Sequence, residues 1–319
     1  MTRGENGRGS GPERQCTSAV LMIRPATFYS NPETIGTNPF QHAVSAPRAN
    51  TLAAAQAEFD AAATALSDAG IEVVVAEADP TADTPDALFP NNWFSTHSDG
   101  RVALYPMAVP NRRRERRLDL LRGIAAQRGL HIRSVVDLSG LEEQGSFVEG
   151  TGSLILDRPH RLAYACRSAR THDAAVEAFC EAFGYRSVLF DAHDETGRAI
   201  YHTNVMMAVG AELAVLASSL VAPGAGLRRV FDALESSGKV LLDLSAEQVS
   251  DFAGNILFLE GAAGPVVAIS RRALASLSRA QRLLLEQHAR PVVCAVETIE
   301  HLGGGGIRCM LAELFLPYA

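Results

Sequence analysis

The chain has 319 residues and a mass of 34.0 kDa, with 47% hydrophobic and 20% charged residues. This composition can fill either two domains or one large repeat-built domain, and it excludes a chain that is disordered throughout. The formal net charge of −7 argues against a general nucleic-acid binder. Five cysteines without a C-x-x-C pair favour a reducing, cytoplasmic location.

The N-terminal residues are polar and rich in glycine, and they lack the apolar core of a signal peptide. We predict a disordered tail over 1–18 and a single catalytic domain over 19–319. The most apolar stretch, 205–227, is interrupted by a turn at 210–212. It therefore predicts two short buried strands and not a membrane span.

Helical periodicity recurs along the chain, and a β-branched strand follows each helical stretch. The helices are predicted at 50–69, 111–128, 173–183, 225–237 and 271–289. The first four end at the usual left-handed C-cap residue, at Gly70, Gly129, Gly184 and Gly238. The strands that follow are predicted at 71–75, 130–136, 185–190, 239–244 and 291–296.

A polar segment comes after each of these strands, and four of the five segments lead into an apolar hairpin. The segments are 89–93, 147–152, 201–205, 252–256 and 303–310. A further strand at 19–23 would complete the fifth sheet. We therefore predict an α/β fold of five strand–hairpin–helix repeats closed into a ring, with the polar segments near one axis. An open doubly wound sheet is the alternative.

Three reactive residue types lie in these segments. Cys309 follows four glycines, which let the backbone approach a ligand and leave amides free, so we interpret it as a nucleophile. His202 lies at the same point of the repeat. Glu149 lies in an apolar run, where a buried carboxylate needs a cationic or N–H partner. The three predict a thiol hydrolase site, with a structural cysteine and a surface or core histidine as alternatives.

Several motifs resemble those of the amidinotransferase superfamily of guanidine-modifying enzymes, from about Met22 to the end of the chain. They are 86–92 (D-A-L-F-P-N-N, similar to D-x-x-F-x-E-D), 149–152 (E-G-T-G, similar to E-G-[GT]-D), 166–171 (similar to G-x-S-x-R-T), 201–204 (similar to H-x-D) and the C-terminal cysteine. The resemblance implies a five-bladed pseudo-symmetric α/β propeller. Within the superfamily the sequence is similar to bacterial citrulline-utilization hydrolases, through runs such as F-P-N-N-W, E-G-T-G-S and Y-H-T-N-V-M-M.

The sequence departs from the deiminase pattern where those enzymes place carboxylates around a guanidinium. This chain has instead Asn91, Asn92, Gly152 and Asn204. A guanidinium is a permanent cation, and its burial without a carboxylate costs several kcal/mol. A ureido group is neutral, and its carbonyl accepts hydrogen bonds from an asparagine NH₂. The asparagines therefore favour citrulline as the substrate.

The resemblance also implies roles for residues that hold the rest of the substrate. It implies that Arg113 and Arg170 bind the α-carboxylate, as bidentate arginines do, and that Asp86 binds an amino or ureido N–H. A solvated first helical turn is the alternative for the arginines within 112–117, and a nucleic-acid patch is disfavoured by the net charge.

We expect hydrolysis of L-citrulline to ornithine, ammonia and CO₂ through a covalent intermediate on Cys309. His202 would act as general acid and then general base, and Glu149 would hold its imidazole. No metal, cofactor, nucleic acid or membrane partner is expected, and a homodimer is compatible with the sequence. Arginine deiminase or dimethylargininase chemistry is the close alternative, and a non-catalytic binding protein of the same fold is the distant one.

Overall fold

Five small sheets with helices between their strands make up the chain, and the computed structural model describes residues 13–42 and 48–319. The strands in these ranges are β1 (Ala19–Arg24), β2 (Glu72–Glu77), β3 (Phe94–Thr96), β4 (Arg101–Leu104), β5 (Ser134–Asp137), β6 (Leu154–Asp157), β7 (Leu162–Cys166), β8 (Arg186–Phe190), β9 (Met207–Val209), β10 (Leu213–Leu216), β11 (Val240–Asp243), β12 (Leu257–Gly261), β13 (Gly264–Ser270), β14 (Arg290–Cys294) and β15 (Ala312–Glu313). The helices are α1 (Arg48–Asp68), α2 (Pro110–Arg113), α3 (Leu118–Arg128), α4 (Gly150–Ser153), α5 (Asp173–Phe183), α6 (Ala225–Ser236), α7 (Ala246–Ser250), α8 (Arg271–Ser276), α9 (Arg279–His288) and α10 (Glu297–Gly303).

All five sheets have three strands and follow one pattern. The strand orders are β3-β4-β5, β6-β7-β8, β9-β10-β11, β12-β13-β14 and β15-β1-β2. In each sheet the first two strands are antiparallel, and the third pairs in parallel with the middle one. In each unit one or two helices connect the two parallel strands, because a parallel connection needs a crossover segment, and these helices are α1, α2 and α3, α5, α6, and α8 and α9. The short helices α4, α7 and α10 lie between one sheet and the next. This confirms the α/β class and the five predicted repeats.

The glycines predicted to end the helices adopt the left-handed backbone conformation that is usual at this position. Gly70, Gly129, Gly184 and Gly238 all have positive φ, between 66° and 85°. Side chains are disfavoured in this region, so glycine fixes where the helix stops and the next strand begins. The prediction of these four helix ends is confirmed.

Two predicted helices are each divided in two. The predicted helix 111–128 is α2 and α3, because Arg117 has φ −120° and ψ 77°, outside the helical region. The predicted helix 271–289 is α8 and α9. Ser278 starts the second of these with a capping box, in which Ser278 Oγ accepts from Gln281 N and Gln281 Oε1 accepts from Ser278 N.

The core lies between the sheets and the helices that cover them. In α5, for example, Ala175, Val176, Phe179 and Phe183 are buried at helical spacing and pack on residues of β6 and β7. Burial of one such aromatic side chain contributes about 2–3 kcal/mol. This packing stabilises the β6-β7-β8 sheet, whose first strand begins shortly after the segment that contains Glu149.

The strand predicted at 19–23 completes the fifth sheet as expected. β1 pairs in parallel with β2 and antiparallel with β15, with Val20 opposite Glu313. The first and last strands of the chain thus share one sheet.

Residues 13–18, which the sequence predicts to be part of the disordered N-terminal tail, pack on the domain. Gln15 Nε2 donates to Leu156 O (2.8 Å) and Val209 O (2.9 Å), and Arg158 N donates to Gln15 Oε1 (2.9 Å). Composition alone gave no sign that a glutamine would satisfy three backbone groups. The remainder of the predicted tail, 1–12, lies outside the described residues.

Among the helices that the structure describes, none combines the length and apolar character that a bilayer span requires. The apolar stretch 205–227 contains β9 and β10, joined by a turn, which confirms the two short buried strands predicted there.

Candidate active site

A small cavity of about 20 Å³ lies where three of the predicted polar segments meet. Its lining residues come from distant parts of the sequence: Thr34, Asn38, Asp86, Phe89, Asn92, Arg112, Arg170, Tyr201, His202, Gly303, Gly304, Gly305 and Cys309. The structure therefore brings Cys309 and His202 to one cavity, as the sequence predicts.

Cys309 lies on the short helical turn Ile307–Met310, after the four glycines. A side chain at Gly305 would press on Phe89 and on Cys309 Cβ, so the missing side chain lets the cysteine reach the cavity. Sγ accepts hydrogen bonds from Asn204 Nδ2 (3.4 Å) and Asn255 Nδ2 (3.3 Å). Burial raises the pKa of the Cys309 thiol, and these two amide donors oppose the rise.

His202 and Glu149 form a fully buried pair. His202 Nε2 lies 2.8 Å from Glu149 Oε2, and Glu149 Oε1 accepts from Ala108 N at 3.0 Å. Burial lowers the pKa of His202 to about 4, despite the opposing effect of Glu149. Burial alone would raise the pKa of Glu149, but the charge of Arg170 and the hydrogen bond with His202 hold this pKa well below its usual range. At neutral pH the pair is therefore a neutral imidazole held by a carboxylate.

Arg112 fixes the orientation of the Asn92 amide. Its Nη1 donates to Asn92 Oδ1 (2.9 Å), while Nε and Nη2 donate to Glu115 at 3.0 and 2.9 Å. A guanidinium has only donors, so the amide oxygen must face it and the amide nitrogen must face away. Asn92 Nδ2 has no hydrogen-bond partner within 13–42 and 48–319. The site thus presents a buried N–H donor.

Gly152 makes room for this arrangement. A Cβ atom at this position would collide with Asn92 Nδ2 and would lie 2.9 Å from His202 Nδ1. The missing side chain therefore lets the free amide nitrogen and the second imidazole nitrogen approach the same place. The carboxylate that the deiminase pattern has here would not fit.

Arg170 and Asp86 both line the cavity and each keeps a polar atom free. Arg170 Nη2 donates to Thr37 Oγ1 (2.8 Å) and Nη1 lies 3.5 Å from Glu149 Oε2. Asp86 Oδ2 accepts from Asn31 Nδ2 at 2.8 Å. Arg170 Nε and Asp86 Oδ1 are unpartnered in the described part of the chain. Both can therefore still bind a ligand.

Four predicted site residues are not part of this lining. Glu149 and Asn204 lie behind it, bonded to His202 and to Cys309, whereas Arg113 and Asn91 do not reach it. Arg113 Nε donates to Met107 O (3.0 Å) and lies 3.1 Å from Glu142 Oε2, with a third of its side chain exposed. Its neighbour Arg112 lies in the cavity instead, because successive residues of a helical turn point about 100° apart. Asn91 is fully buried, but its backbone oxygen contacts Gly150 and Thr151 and its side chain is not part of the lining.

Sequence reasoning selected neither Arg112 nor Asn255. Arg112 is 2% exposed and Glu115 5%, so the solvated-turn interpretation is wrong for this pair. Asn255 lies in the polar segment 252–256, and its place in the repeat is the signal that could have identified it. No group of three metal-ligating side chains is arranged to hold a metal ion among the residues described.

A five-unit α/β fold that gathers cysteine, histidine and glutamate at one cavity is the architecture of the amidinotransferase (pentein) superfamily of guanidine-modifying enzymes. The sequence model for eukaryotic N,N-dimethylarginine dimethylhydrolase matches residues 24–316, so the chain belongs to this family. No curated protein matches the sequence.

Solved structures share the fold at low sequence identity. ArgZ, an arginine dihydrolase from the ornithine–ammonia cycle in cyanobacteria, superposes with a TM-score of 0.71 at 15% identity, over 94% of this chain and 41% of ArgZ. Its substrate-bound N-terminal domain gives 0.70 at 15% identity, over 94% of this chain and 99% of that domain. A cysteine mutant of dimethylargininase from Pseudomonas aeruginosa with citrulline gives 0.64 at 14% identity, over 94% and 99%.

Proposed function

We propose that this protein is a cysteine-dependent hydrolase that cleaves a C–N bond of the ureido group of L-citrulline. Cys309, His202 and Glu149 carry the chemistry, and Asp86, Asn92, Arg112, Arg170 and Asn204 bind the substrate. The observation that carries the proposal is the amide nitrogen of Asn92, a residue that lines the cavity. With Oδ1 held by Arg112, this nitrogen is a donor without a partner among the described residues.

A ureido group matches this donor, whereas a guanidinium does not. The ureido carbonyl accepts from Asn92 Nδ2, and the ureido N–H groups find free acceptors in Asn204 Oδ1 and Asp86 Oδ1. A guanidinium presents only donors, so one of its N–H groups would oppose the N–H of Asn92. Because the donor is buried and Arg112 prevents the amide from rotating, this mismatch is costly.

The charged groups of an α-amino acid also have partners. Arg170, with its Nε free, supplies bidentate binding for the α-carboxylate. Asn91 and Arg113, predicted at first as substrate ligands, take no part in the proposal. In the described part of the chain, neither side chain lines the cavity or bonds to a residue that does.

In the reaction, Cys309 Sγ attacks the ureido carbon and a tetrahedral intermediate forms. The resting cysteine and histidine are both neutral, so the proton that His202 gives to the departing nitrogen originates on the thiol. Glu149 stabilises the imidazolium that exists between these two transfers. Loss of ammonia leaves a carbamoyl thioester, and water activated by His202 releases a carbamate. The carbamate breaks down to ornithine and CO₂.

The family match favours a second function, hydrolysis of a guanidine such as arginine or dimethylarginine. Structures of the arginine dihydrolases ArgZ and AgrE share the fold, and one of AgrE contains L-arginine. The buried carboxylates of Asp86 and Glu149 would have to balance the substrate cation, but each already faces Arg112 or Arg170. The cavity therefore favours the neutral ureido group.

The proposal extends to the architecture of the chain. First strands of neighbouring units are in contact in at least three pairs, β15 with β3, β6 with β9 and β9 with β12. These contacts support a closed five-bladed ring formed by one domain. A cytoplasmic location is part of the same proposal, because the reactive thiol needs reducing conditions.

A product assay tests the function. Purified protein is incubated separately with citrulline, arginine and dimethylarginine, and ammonia, ornithine, citrulline and methylamines are quantified. We expect ornithine and ammonia in equal amounts from citrulline, and no release by Cys309→Ala. Faster release from arginine or dimethylarginine would replace this proposal with the guanidine hydrolase. No turnover of any of the three would overturn both.

A further inference from the structure

We propose that Asn255 is a catalytic residue that acts with Asn204 as a pair of N–H donors to the thiolate form of Cys309. The inference deepens the proposed function and rests on its assignment of Cys309 as the nucleophile. It also gives Asn204 a second role, since its amide nitrogen faces the sulfur and only its oxygen faces the substrate.

The geometry fixes which end of each amide faces the sulfur. Asn255 Nδ2 lies 3.3 Å from Cys309 Sγ and also donates to the backbone oxygen of Asn204 at 3.1 Å. Because a backbone carbonyl can only accept, the nitrogen of the Asn255 amide must point to this side. Asn204 Nδ2 lies 3.4 Å from the same sulfur. A thiolate accepts from both donors strongly and a neutral thiol only weakly, so the pair favours the ionised form.

The repeat gives a second, independent reason. A polar residue followed by two apolar residues enters the first strand of four units, at Asn92-Trp-Phe, Asn204-Val-Met, Asn255-Ile-Leu and Cys309-Met-Leu. Asn92, Asn204 and Cys309 already belong to the site. Asn255 is the equivalent residue of the fourth unit. Asn92 and Cys309 line the cavity, and Asn204 and Asn255 both contact the Cys309 sulfur.

The backbone around Asn255 is strained in a way that positions its side chain. Phe252 has φ 61°, in the left-handed region that bulky residues avoid, and Asn255 N donates to Phe252 O at 2.8 Å. On the other side, a side chain at Gly306 would press against Asn255 Oδ1. Strain of this kind persists where the surroundings hold a functional residue in place. The turn and the missing side chain together bring the amide against the sulfur.

The other buried cysteines lack this environment. Burial raises the pKa of Cys166, Cys180 and Cys294 to about 12 in each case, and no side-chain amide donates to their sulfurs in the residues that the structure describes. Several ionisable groups near Cys309 would influence its titration. Five line the same cavity: Asp86, Arg112, Arg170, Tyr201 and His202. Glu149 is bonded to His202, and Arg308 lies on the same turn as Cys309. The two amides are the groups that contact Sγ directly.

Titration of the thiol in ligand-free protein tests the inference. Ultraviolet absorbance of the thiolate is followed against pH, and the Cys309 signal is the difference from a matched Cys309→Ser protein. The variant Asn255→Leu keeps a side chain of similar size and removes both N–H groups of the Asn255 amide. We expect the pH midpoint of thiolate formation to rise by about one pH unit, because one hydrogen bond to a charged group is lost. Asn38→Ala is the control, since Asn38 Nδ2 holds the same glycine loop at Gly304 O (3.1 Å) without contacting the sulfur.

A structural role alone would not move the midpoint. For turnover of citrulline, we expect Asn255→Leu to lose about tenfold in kcat/KM near neutral pH and to recover at higher pH. Should Asn255→Leu fail to fold, the isosteric Asn255→Asp serves instead, and its carboxylate should raise the midpoint further. An unchanged midpoint in the folded variant, or an equal rise in Asn38→Ala, overturns the inference. Because the titration uses no substrate, its result stands even if citrulline is not hydrolysed.

Discussion

Two sets of side-chain amides, the part-buried Gln15 and the buried asparagines Asn92, Asn204 and Asn255, differ in how completely they are bonded. Gln15 uses both ends, with Nε2 on two backbone oxygens and Oε1 on a backbone nitrogen. Around the cavity, Asn92 lacks a partner for Nδ2, and Asn204 and Asn255 lack one for Oδ1, counting partners in 13–42 and 48–319.

This difference separates a structural amide from a functional one. A buried polar atom without a partner costs about 1–3 kcal/mol, so an unpartnered amide next to the reactive cysteine and histidine is a candidate to bond a ligand. The same contrast holds for two buried arginines. Arg158 lies over the Phe315 ring, 3.8 Å from Glu13 and 3.7 Å from Glu313, whereas Arg170 keeps Nε free in the described part of the chain.

The largest effect should come from the nucleophile. Cys309→Ala should lower turnover by several orders of magnitude and leave the fold intact, because the thiol is the attacking group and its loss removes only a small buried side chain. Cys166→Ala, in apolar surroundings, is the matched control and should retain activity. Steady-state rates and thermal unfolding of both variants measure this. Substantial activity in Cys309→Ala would mean that water, and not sulfur, attacks the substrate.

The next effect concerns the charge of the substrate. Asn92→Asp keeps the acceptor for Arg112 but turns the free donor into an acceptor. We expect kcat/KM for citrulline to fall about 10²-fold and arginine to bind more tightly. Asn92→Leu is the control, because it removes the donor without adding charge and should not gain arginine binding. Kinetics and equilibrium binding with both substrates measure the change. An unaltered preference in Asn92→Asp would show that this amide does not select the substrate.

The buried imidazole should make stability depend on pH. His202 has a pKa of about 4 in the folded state and the ordinary value of 6.5 when unfolded, so below pH 6.5 the unfolded chain binds a proton that the folded chain does not. The contribution of the neutral imidazole to the free energy of unfolding is therefore fully present above pH 6.5. It falls by about 3 kcal/mol as the pH drops to about 4. Urea unfolding across this range should show that His202→Gln loses much of the dependence and that His131→Gln, at an exposed position, keeps it.

The smallest effect belongs to the fully bonded amide. Gln15→Ala leaves three backbone groups without their partner and should lower the free energy of unfolding by about 2 kcal/mol. It should not change kcat/KM. The neighbouring exposed Arg14 provides the control, since Arg14→Ala should change neither quantity. A loss of activity in Gln15→Ala would mean that the two sets of amides are coupled.

Local rules predicted most of the fold. Glycine C-caps and β-branched runs depend on neighbouring residues, so the repeats, four helix ends and the strand at 19–23 could be identified. The breaks at Arg117 and Ser278 were missed, because the helical pattern continues across them. Whether Arg112 or Arg113 faces inward depends on how one helical turn is rotated relative to the rest of the protein. The pattern of charges in the sequence does not determine this rotation. Gln15 could not be assigned because its partners are far away in sequence, whereas the place of Asn255 in its repeat unit would have identified it.

The pairing of β1 with both β2 and β15 determines how the molecule opens. Contacts between the two ends of a chain form at a high entropic cost, and such a sheet cannot be completed by neighbouring residues alone. Cooperativity therefore extends from the first unit to the last, unlike in a linear solenoid, whose end repeats fray independently. Amide hydrogen exchange at Val20 and at Leu21 should report the same opening event as exchange in the turn that carries Cys309.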